Sequence, residues 1–335
     1  MKAVLLRELG GPDKLKLEEI DIPKPRGKEV LIKLKYAALN RRDVFITYGL
    51  YPGMKLPTIL GSDGSGEVVE IGDEVTSVSI NDEVVINPGL NWGDNDRFSN
   101  PEFQILGMPV NGTYAQYVVV PEENVYPKPN HLNWEEAAAL PLAGVTAYRA
   151  LFTRGEVQKG EKVLIPGIGS GVALFALQMA NAVGADVYVT SSSDEKIEQA
   201  IQLGAKGGVN YKKEKWAKEL KNIMGFADLV IDGVGGPSFN DFIYLTAPGG
   251  RIVSFGATSG PIPEFVMPRV FFKNMDIRGT TMGSPRDFMN MLSLYEKHSL
   301  HPVIDRTYSL EEVKQAQVYM EEGKNFGKIT LKIED

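Results

Sequence analysis

The sequence predicts an α/β protein in which a doubly wound parallel sheet is inserted into a mostly-β domain with a partly open barrel. Three observations predict this fold class. Residues 162–196 read as a strand, a glycine-rich turn, a helix and a second strand. Strand-like and helix-like segments then alternate to about residue 255, which is typical of a parallel sheet. The first 120 residues instead contain short runs of alternating apolar and polar residues, which favour an antiparallel sheet.

Length and composition are those of a globular protein. The chain has 335 residues, which suggests about two domains of roughly 150 residues each. Its net charge of −7, without a basic block, argues against nucleic acid as the main partner. The charged N-terminus lacks the apolar core of a signal peptide, and no stretch approaches the roughly 20 apolar residues of a membrane span. We therefore expect a cytoplasmic protein without a membrane partner.

Cysteine is absent, so the chain can form no disulfide, thiolate metal site or cysteine nucleophile. Only three histidines exist, at His131, His298 and His301. A zinc centre built from the usual nitrogen and sulfur ligands is therefore nearly excluded by composition, and we expect no metal.

The N-terminal region is predicted to consist mainly of strands. Residues 30–36 alternate apolar and charged side chains, and 67–72 and 82–86 read as strands bounded by turn residues. Residues 114–120 read as another strand. Residues 87–107 are rich in Asn, Gly and Pro, and they are predicted to form a long surface loop.

From about residue 121 the pattern changes to helices alternating with strands. Residues 133–150 are alanine-rich and helical, and Asn133 is placed to cap this helix. The chain beyond it is predicted to contain strands at 163–165, 187–190, 208–211, 228–232, 251–255, 271–281 and 328–333, and helices at 172–182, 195–203, 213–224, 237–245, 285–298 and 310–322. The last strand alternates like the first section, so both chain ends are predicted to build one discontinuous domain.

The glycine-rich turn predicts a dinucleotide site. Gly167, Gly169 and Gly171 follow a strand and precede an apolar helix, and Ser170 and Val172 belong to the same turn. Glycine lets the backbone approach a pyrophosphate, and the unpaired N–H groups of a helix N-terminus face the anion. The match to Gly-x-Gly-x-x-Gly is imperfect because the third glycine position holds Val172. A glycine turn in a plain βαβ unit remains the alternative.

The end of the second strand favours NADPH over NAD. Folds that bind NAD commonly place an acidic residue there, whereas this strand ends in Ser191, Ser192 and Ser193. These hydroxyls, with Lys196 one helical turn later, suit a ribose 2′-phosphate. The alternative is that Ser193 caps the next helix and Lys196 is solvated, and the nearby Asp194 carries a negative charge.

Eight separated stretches together resemble the medium-chain dehydrogenase/reductases over essentially the whole chain. They are residues 40–43 (NRRD), 49–52 (GLYP), 61–68 (GSDGSGEV), 112–117 (GTYAQY), 144–148 (GVTAY), 167–171 (GIGSG), 255–257 (FGA) and 327–329 (GKI). The resemblance implies a Rossmann domain at 121–265, inserted in a GroES-like catalytic domain formed by residues 1–120 and 266–335, in a protein that is often a homodimer.

Within that superfamily the chain resembles the zinc-free, quinone oxidoreductase-like branch. Zinc alcohol dehydrogenases carry a cysteine near position 41, Gly-His-Glu at 61–63, and a further Cys or Asp near 166. This sequence has Arg41 (or Asn40), Gly-Ser-Asp and Pro166 at those places.

Residues 87–107 resemble the structural zinc lobe of the superfamily without its four cysteines. Such a lobe must be held by ordinary packing, with Trp92, Phe98 and Phe103 as candidates, or be mobile. The retained flanks of this segment keep a degenerate zinc-type alcohol dehydrogenase open as an alternative.

The resemblance also implies further cofactor contacts. Thr146 is expected near the nicotinamide, although a buried hydroxyl satisfied by backbone is the alternative. The other implied positions are Tyr211, Val234, Phe255, Gly256 and Ala257 at strand ends, Met282 and Gly283 after a later strand, and Asn325 and Lys328 on the phosphate side. A solvent-facing strand lysine is the alternative for Lys328.

Zinc-free chemistry favours reduction of a quinone, enone or enal over oxidation of a simple alcohol. Hydride addition to an activated C=C bond leaves charge on the carbonyl oxygen and requires a proton. Tyr48 and Tyr51 are the candidate donors, with Asn40 and Arg41 as polar helpers, and water or a pocket-wall role are the alternatives. Asp43 is expected to anchor its loop. We expect an NADPH-dependent reductase, and an NADPH-binding sensor with little catalysis is the remaining alternative.

Overall fold

The computed structural model describes residues 1–334 and divides into two compact units. Residues 1–143 and 284–334 form the first unit, and Gly144–Gly283 is inserted between them as the second. The insertion therefore begins and ends later in the chain than the expected limits of 121 and 265. Residues 125–127 pair with a strand of the first unit, and residues 276–279 join the sheet of the second.

Up to residue 148 the chain forms mostly strands. They are β1 (Lys2–Leu6), β2 (Leu15–Glu19), β3 (Glu29–Ala38), β4 (Thr58–Ile59), β5 (Asp63–Ile71), β6 (Glu83–Ile86), β7 (Gly89–Leu90), β8 (Gln104–Leu106), β9 (Pro109–Val110), β10 (Tyr117–Pro121) and β11 (Val125–Pro127), with helices α1 (Arg41–Thr47), α2 (Trp134–Ala139) and α3 (Pro141–Tyr148).

From residue 162 strands and helices alternate. They are β12 (Lys162–Ile165), α4 (Gly171–Ala182), β13 (Asp186–Ser191), α5 (Asp194–Gln202), β14 (Gly207–Asn210), α6 (Trp216–Met224), β15 (Ala227–Asp232), α7 (Phe239–Leu245), β16 (Thr246–Ser254), α8 (Met267–Phe271), β17 (Asp276–Gly279), α9 (Pro285–His298), β18 (Ile304–Ser309), α10 (Val313–Glu321) and β19 (Lys328–Lys332).

The first unit contains three sheets that do not close into a barrel. The largest has the order β11-β6-β5-β3-β19-β18, with β10 also paired to β3. Because β19 lies against β3, the C-terminal strand completes a sheet begun near the N-terminus. The two chain ends thus form one GroES-like domain, as predicted. The other two sheets are β2-β1-β4 and β7-β8-β9.

The second unit is a six-stranded parallel sheet with the order β14-β13-β12-β15-β16-β17. Its order reverses at β12, so the carboxyl ends of β12, β13 and β15 meet at the switch point where doubly wound sheets bind ligands. The predicted Rossmann fold is confirmed. No helix within residues 1–334 is long and apolar enough to cross a membrane.

Three sequence predictions of local structure were wrong. Residues 87–107 are not a plain loop, because β7 and β8 pair within them and Asn124 donates to the Asn87 and Gly89 carbonyls. Of the predicted strand at 271–281, only β17 (Asp276–Gly279) is a strand, because α8 extends to Phe271 and a turn separates it from β17. The predicted helix at 133–150 breaks before Pro141, which has no N–H to continue it.

The packing of the 87–107 segment agrees only in part with expectation. Trp92 is buried and its ring meets that of Phe103 edge-on at 5.2 Å between centroids. Its indole N–H donates to the Asn95 carbonyl at 3.0 Å. Phe98, in contrast, is 63% exposed, so most of its surface lies outside the packing of the lobe.

Candidate functional site

A buried polar cluster lies in the first unit where α1, β5 and β19 meet. Asn40 precedes α1 and its side-chain amide donates to Asp63 Oδ2 at 2.9 Å. Lys328 Nζ donates to Asn40 Oδ1 at 2.9 Å, to Asp63 Oδ2 at 3.0 Å and to the Leu39 carbonyl at 2.8 Å. Asp63 Oδ1 accepts from the Leu142 N–H at 2.8 Å. The cluster is therefore a hydrogen-bonded ion pair shielded from water.

This cluster corrects the predicted role of Lys328. The Lys328 and Asp63 side chains are 4% and 0% exposed. An ammonium group has three donors, and here all three have acceptors within the first unit. Lys328 has no donor left for a cofactor phosphate, and it is also not the solvent-facing lysine that was the alternative.

Asp43 and Tyr114 form a second buried pair. Tyr114 Oη donates to Asp43 Oδ2 at 2.8 Å, and the Asn40 N–H donates to the same oxygen. Burial raises the pKa of Asp43, whereas the Arg42 charge and these hydrogen bonds oppose the shift. Burial, followed by the Asp43 charge, raises the pKa of Tyr114 well above its usual value, so the phenol stays a donor. Asp43 thus anchors the start of α1, which is the role predicted for it.

Arg42 is a buried residue that the sequence did not single out. Its Nη1 donates to Ser62 Oγ at 2.8 Å and to the Leu106 carbonyl at 3.1 Å, and its Nη2 donates to the Met108 carbonyl at 3.2 Å. Arg42 is 8% exposed, whereas the neighbouring Arg41 is exposed. No local pattern separates the two arginines, because the partners of Arg42 lie 20 to 66 positions away in the chain.

The residues at the zinc-ligand positions do not fit a metal. The Asn40 side chain is held by Asp63 and Lys328, and Ser62 Oγ donates to the Leu106 carbonyl at 2.7 Å while accepting from Arg42. Pro166 offers no side-chain donor atom and follows β12 in the second unit. Within residues 1–334, no group of three or more His, Cys, Asp or Glu residues is placed to hold a metal ion.

The other candidate catalytic side chains have different partners. Tyr48 is 43% exposed, and its Oη donates to Glu321 Oε2 at 3.2 Å, a hydrogen bond that raises the pKa of the phenol. Arg41 Nη1 donates to the Met320 carbonyl at 2.7 Å, so both residues contact the end of α10. The half-buried Tyr51 instead lies with its ring 4.8 Å from the Arg42 guanidinium carbon. Asn40, Tyr48 and Tyr51 therefore do not share one hydrogen-bonded centre.

The glycine turn of the second unit has the geometry that a dinucleotide requires. Gly167 and Gly169 have φ values of +67° and +115°, which side chains rarely adopt. The Ile168 N–H donates to the Thr190 carbonyl at 2.8 Å, which ties the turn to β13. Ser170 precedes α4 and its Oγ accepts from the N–H of Ala173, the third residue of the helix. The cap therefore leaves the N–H groups of the first two helical residues, Gly171 and Val172, to an anion. These residues fit a dinucleotide.

Replacing Gly167 by alanine is expected to weaken cofactor binding about tenfold. The residue would be strained at φ +67°, and its Cβ would lie 3.1 Å from Val234 Cγ2. A dinucleotide titration followed by fluorescence measures the change. Gly160→Ala is the matched control, because Gly160 has φ +83° but its Cβ would meet nothing within 4 Å. Equal affinities for the Gly167→Ala variant and the wild type would contradict the assignment of the turn.

Two of the serines at the end of β13 accept hydrogen bonds from backbone N–H groups through their hydroxyl oxygens. Ser191 Oγ accepts from the Ser193 N–H at 3.2 Å, and Ser193 Oγ accepts from the Lys196 N–H at 3.3 Å, so Ser193 caps α5. Each hydroxyl still has its own proton to donate. Asp194 is exposed, and its carboxylate lies 3.7 Å from Lys213 Nζ, which offsets its charge near the strand end.

The remaining predicted cofactor residues fall into two groups. One group lies in the second unit, either near its first residue, Gly144, or after the carboxyl ends of its strands. Its members are Thr146, Tyr211, Val234, Phe255, Gly256, Ala257, Met282 and Gly283. Asp232 shapes this region, because its Oδ1 accepts from the Val234 and Gly235 N–H groups and its burial raises its pKa. Asn325 belongs to the first unit, where its side-chain amide donates to the Gly327 carbonyl at 2.9 Å.

Comparison with known proteins identifies the family. Residues 26–130 match the alcohol dehydrogenase GroES-like domain, and residues 171–297 match the zinc-binding dehydrogenase domain. The chain is 39% identical to the zinc-type alcohol dehydrogenase-like protein YogA of Leptosphaeria maculans, over 95% of this chain and 94% of the relative. The chain belongs to the medium-chain dehydrogenase/reductase superfamily.

Other superfamily members similar to this chain differ in their named activities. The quinone oxidoreductase of Mus musculus is 31% identical, over 94% of this chain and 92% of the relative. A crystal structure of an NAD-dependent alcohol dehydrogenase superposes with a TM-score of 0.95 at 40% identity, covering 100% of both chains. These likenesses show an oxidoreductase fold with a nicotinamide dinucleotide as its cofactor class, and they leave the substrate open.

Proposed function

We propose that this member of the superfamily is a metal-independent, NADPH-dependent reductase of a quinone or of a C=C bond conjugated to a carbonyl. The observation that carries the proposal is the state of the zinc-ligand positions. Asn40 and Ser62 are hydrogen-bonded to the buried cations Lys328 and Arg42, respectively. The oxygens that could bind a metal ion there already accept hydrogen bonds: Asn40 Oδ1 and Asp63 Oδ2 from Lys328, and Ser62 Oγ from Arg42. This commitment favours chemistry without a Lewis-acid metal.

The preference for NADPH rests on the end of β13. No acidic side chain stands there to accept a hydrogen bond from a ribose 2′-hydroxyl, since Ser191 to Ser193 occupy the position. Ser192 and Ser193 are partly exposed, and Lys196 lies in the first turn of α5. The pairing of Asp194 with Lys213 lowers the negative charge that a 2′-phosphate would meet.

The reaction divides between the cofactor and the chain. When bound, the nicotinamide supplies the hydride. The glycine turn and the N-terminus of α4 would hold the pyrophosphate, and the Asp232 carboxylate fixes the backbone of Val234 and Gly235 in the same unit. Tyr51, or water, is proposed to deliver the proton. Tyr48 is less suited to that step because its proton is directed at Glu321.

A second candidate function is an NAD-dependent alcohol dehydrogenase. It is favoured by the crystal structure at 40% identity, which is that of such an enzyme. The chain departs from zinc chemistry at the ligand positions described above, so this candidate requires a metal held elsewhere or a mechanism without one.

The proposal is tested by initial rates with NADPH and with NADH, measured on a quinone or an enone and compared with the oxidation of simple alcohols. The expected result is NADPH consumption with a quinone or an enone, with kcat/KM at least about tenfold higher for NADPH than for NADH. Oxidation of simple alcohols with NAD and no turnover of enones would instead support the second candidate. Saturable NADPH binding without turnover on a broad panel would indicate a binding protein.

We also propose that the chain forms a homodimer through the β17 edge of the second unit. β17 is the last strand of its sheet and leaves one row of backbone groups unpaired. Large apolar side chains near it are exposed, and they include Phe265, Met267, Phe271, Phe272 and Ile277. Because the superfamily that the chain resembles often forms homodimers, a second copy of the chain is the proposed partner at this edge.

Replacing Phe272 by aspartate is expected to shift the protein from dimer to monomer. Phe272 is 80% exposed in the single chain, and burying an introduced carboxylate in an interface is costly. Light scattering after size exclusion gives the mass. Met289→Asp is the control, because Met289 is 50% exposed on α9 of the first unit. A wild-type mass equal to one chain would contradict the dimer.

A further inference from the structure

Arg42 joins three separate parts of the first unit. It lies on α1, donates to the Ser62 hydroxyl just before β5, and donates to the carbonyls of Leu106 and Met108, which flank the turn between β8 and β9. Ser62 adds a direct hydrogen bond to the Leu106 carbonyl at 2.7 Å. One side chain therefore links α1, Ser62 (a position that holds a zinc ligand in zinc alcohol dehydrogenases) and the closing end of the 87–107 segment.

The arrangement depends on the shape of the guanidinium group as well as on its charge. Its partners are a hydroxyl and two backbone carbonyls, which the planar fork meets at fixed angles. The closest opposite charge is the neighbouring Asp43, whose Oδ1 lies 3.9 Å from Arg42 Nη1. A lysine at this place would keep a positive charge but could not span the same acceptors.

The outer face of the same guanidinium supports Tyr51. The Tyr51 ring lies 4.8 Å from the guanidinium carbon, within the range of a cation–π contact. The loop that carries Tyr51 contains Gly49 and Gly53, both with positive φ, and it has no helix or strand before β4. Arg42 thus gives this loop a packing contact at Tyr51, beside the contacts that Tyr51 and Met54 make with the hydrophobic core.

We propose that Arg42 is a positioning residue that takes the place of a metal ion as the cross-link of this site. It holds Ser62 and the Leu106–Met108 turn in place, and through its stacking contact it sets the position of Tyr51 toward the substrate. The part that concerns the substrate rests on the reductase function proposed above. The part that concerns the cross-link stands on the contacts alone.

Hydrogen exchange and kinetics of an Arg42→Met variant test the proposal. We expect amide exchange in residues 48–53 and 104–108 to accelerate by about tenfold or more, while the rest of the first unit keeps its protection. We expect the KM for the quinone or enone to rise about five- to tenfold and the KM for NADPH to stay unchanged. The matched control is Lys55→Met, which removes an exposed positive charge from the same loop.

Two further variants keep the proposal falsifiable if Arg42→Met does not fold. Arg42→Lys preserves the charge, and we expect it not to restore the substrate KM or the protection of 104–108. Tyr51→Leu removes only the stacked ring, and we expect faster exchange at 48–53 alone. Unchanged exchange in both segments of Arg42→Met, or full rescue by Arg42→Lys, would overturn the proposal. If the proposed reductase function is wrong, the wild-type protein will show no turnover of quinones or enones. The hydrogen-exchange comparison does not depend on turnover and still tests the cross-link.

Discussion

Replacing Lys328 by methionine is expected to destabilise the protein by about 3–5 kcal/mol, the usual cost of removing one partner of a buried ion pair. The Asp63 carboxyl, at 0% side-chain exposure, would lose its cationic partner and keep the Asn40 amide and the Leu142 N–H as donors. Chemical denaturation, monitored with a spectroscopic probe in the first unit, measures the loss of unfolding free energy.

The control for this prediction is Lys332→Met on the same strand. Lys332 is exposed, and its ammonium lies 3.8 Å from Glu334, so its loss should change stability by less than about 0.5 kcal/mol. A double variant, Lys328→Met with Asp63→Asn, removes both charges and should be more stable than Lys328→Met alone. If Lys328→Met costs no more than Lys332→Met, the buried pair does not hold this site together.

Reversing the charge at Lys196 should change the cofactor preference. In a Lys196→Glu variant the KM for NADPH is expected to rise about 10- to 100-fold, because a charged hydrogen bond worth about 1.5–3 kcal/mol is replaced by repulsion. The KM for NADH should change little, since NADH has no 2′-phosphate. Steady-state kinetics with both cofactors and one quinone give the ratio.

Lys206→Glu is the matched control for the cofactor experiment. Lys206 is exposed in the second unit, at a position before β14, and its ammonium lies 3.9 Å from Asp186. Its reversal alters the net charge of the protein equally but should leave both KM values unchanged. Parallel losses for NADPH and NADH in Lys196→Glu would show that Lys196 does not discriminate the 2′-phosphate.

Much of the fold could be predicted because its signals are local. The α9 bounds of Pro285–His298 agree with the predicted helix at 285–298, where Ser284 caps the first turn and Pro285 opens it. The cap at Asn133 and the glycine turn before α4 are also local patterns, and the structure has both.

The buried charges could not be predicted because their partners are distant in the chain. Lys328 lies 265 positions from Asp63, and its strand reads like any strand with an exposed lysine. Arg42 and Arg41 are adjacent on a short helix, and only the tertiary fold decides which of them is buried. The sequence therefore indicated Arg41 and not Arg42 as a site residue. It also indicated a phosphate contact for Lys328, whose three donors are all taken by acceptors in the first unit.

We propose that this protein reduces an activated C=C bond or a quinone without a metal ion. The most direct measurement combines elemental analysis and NADPH-dependent turnover on the same purified sample, before and after treatment with a chelator. The expected result is substoichiometric metal and an unchanged rate after chelation. A rate that is lost on chelation and restored by zinc would contradict a metal-free reaction.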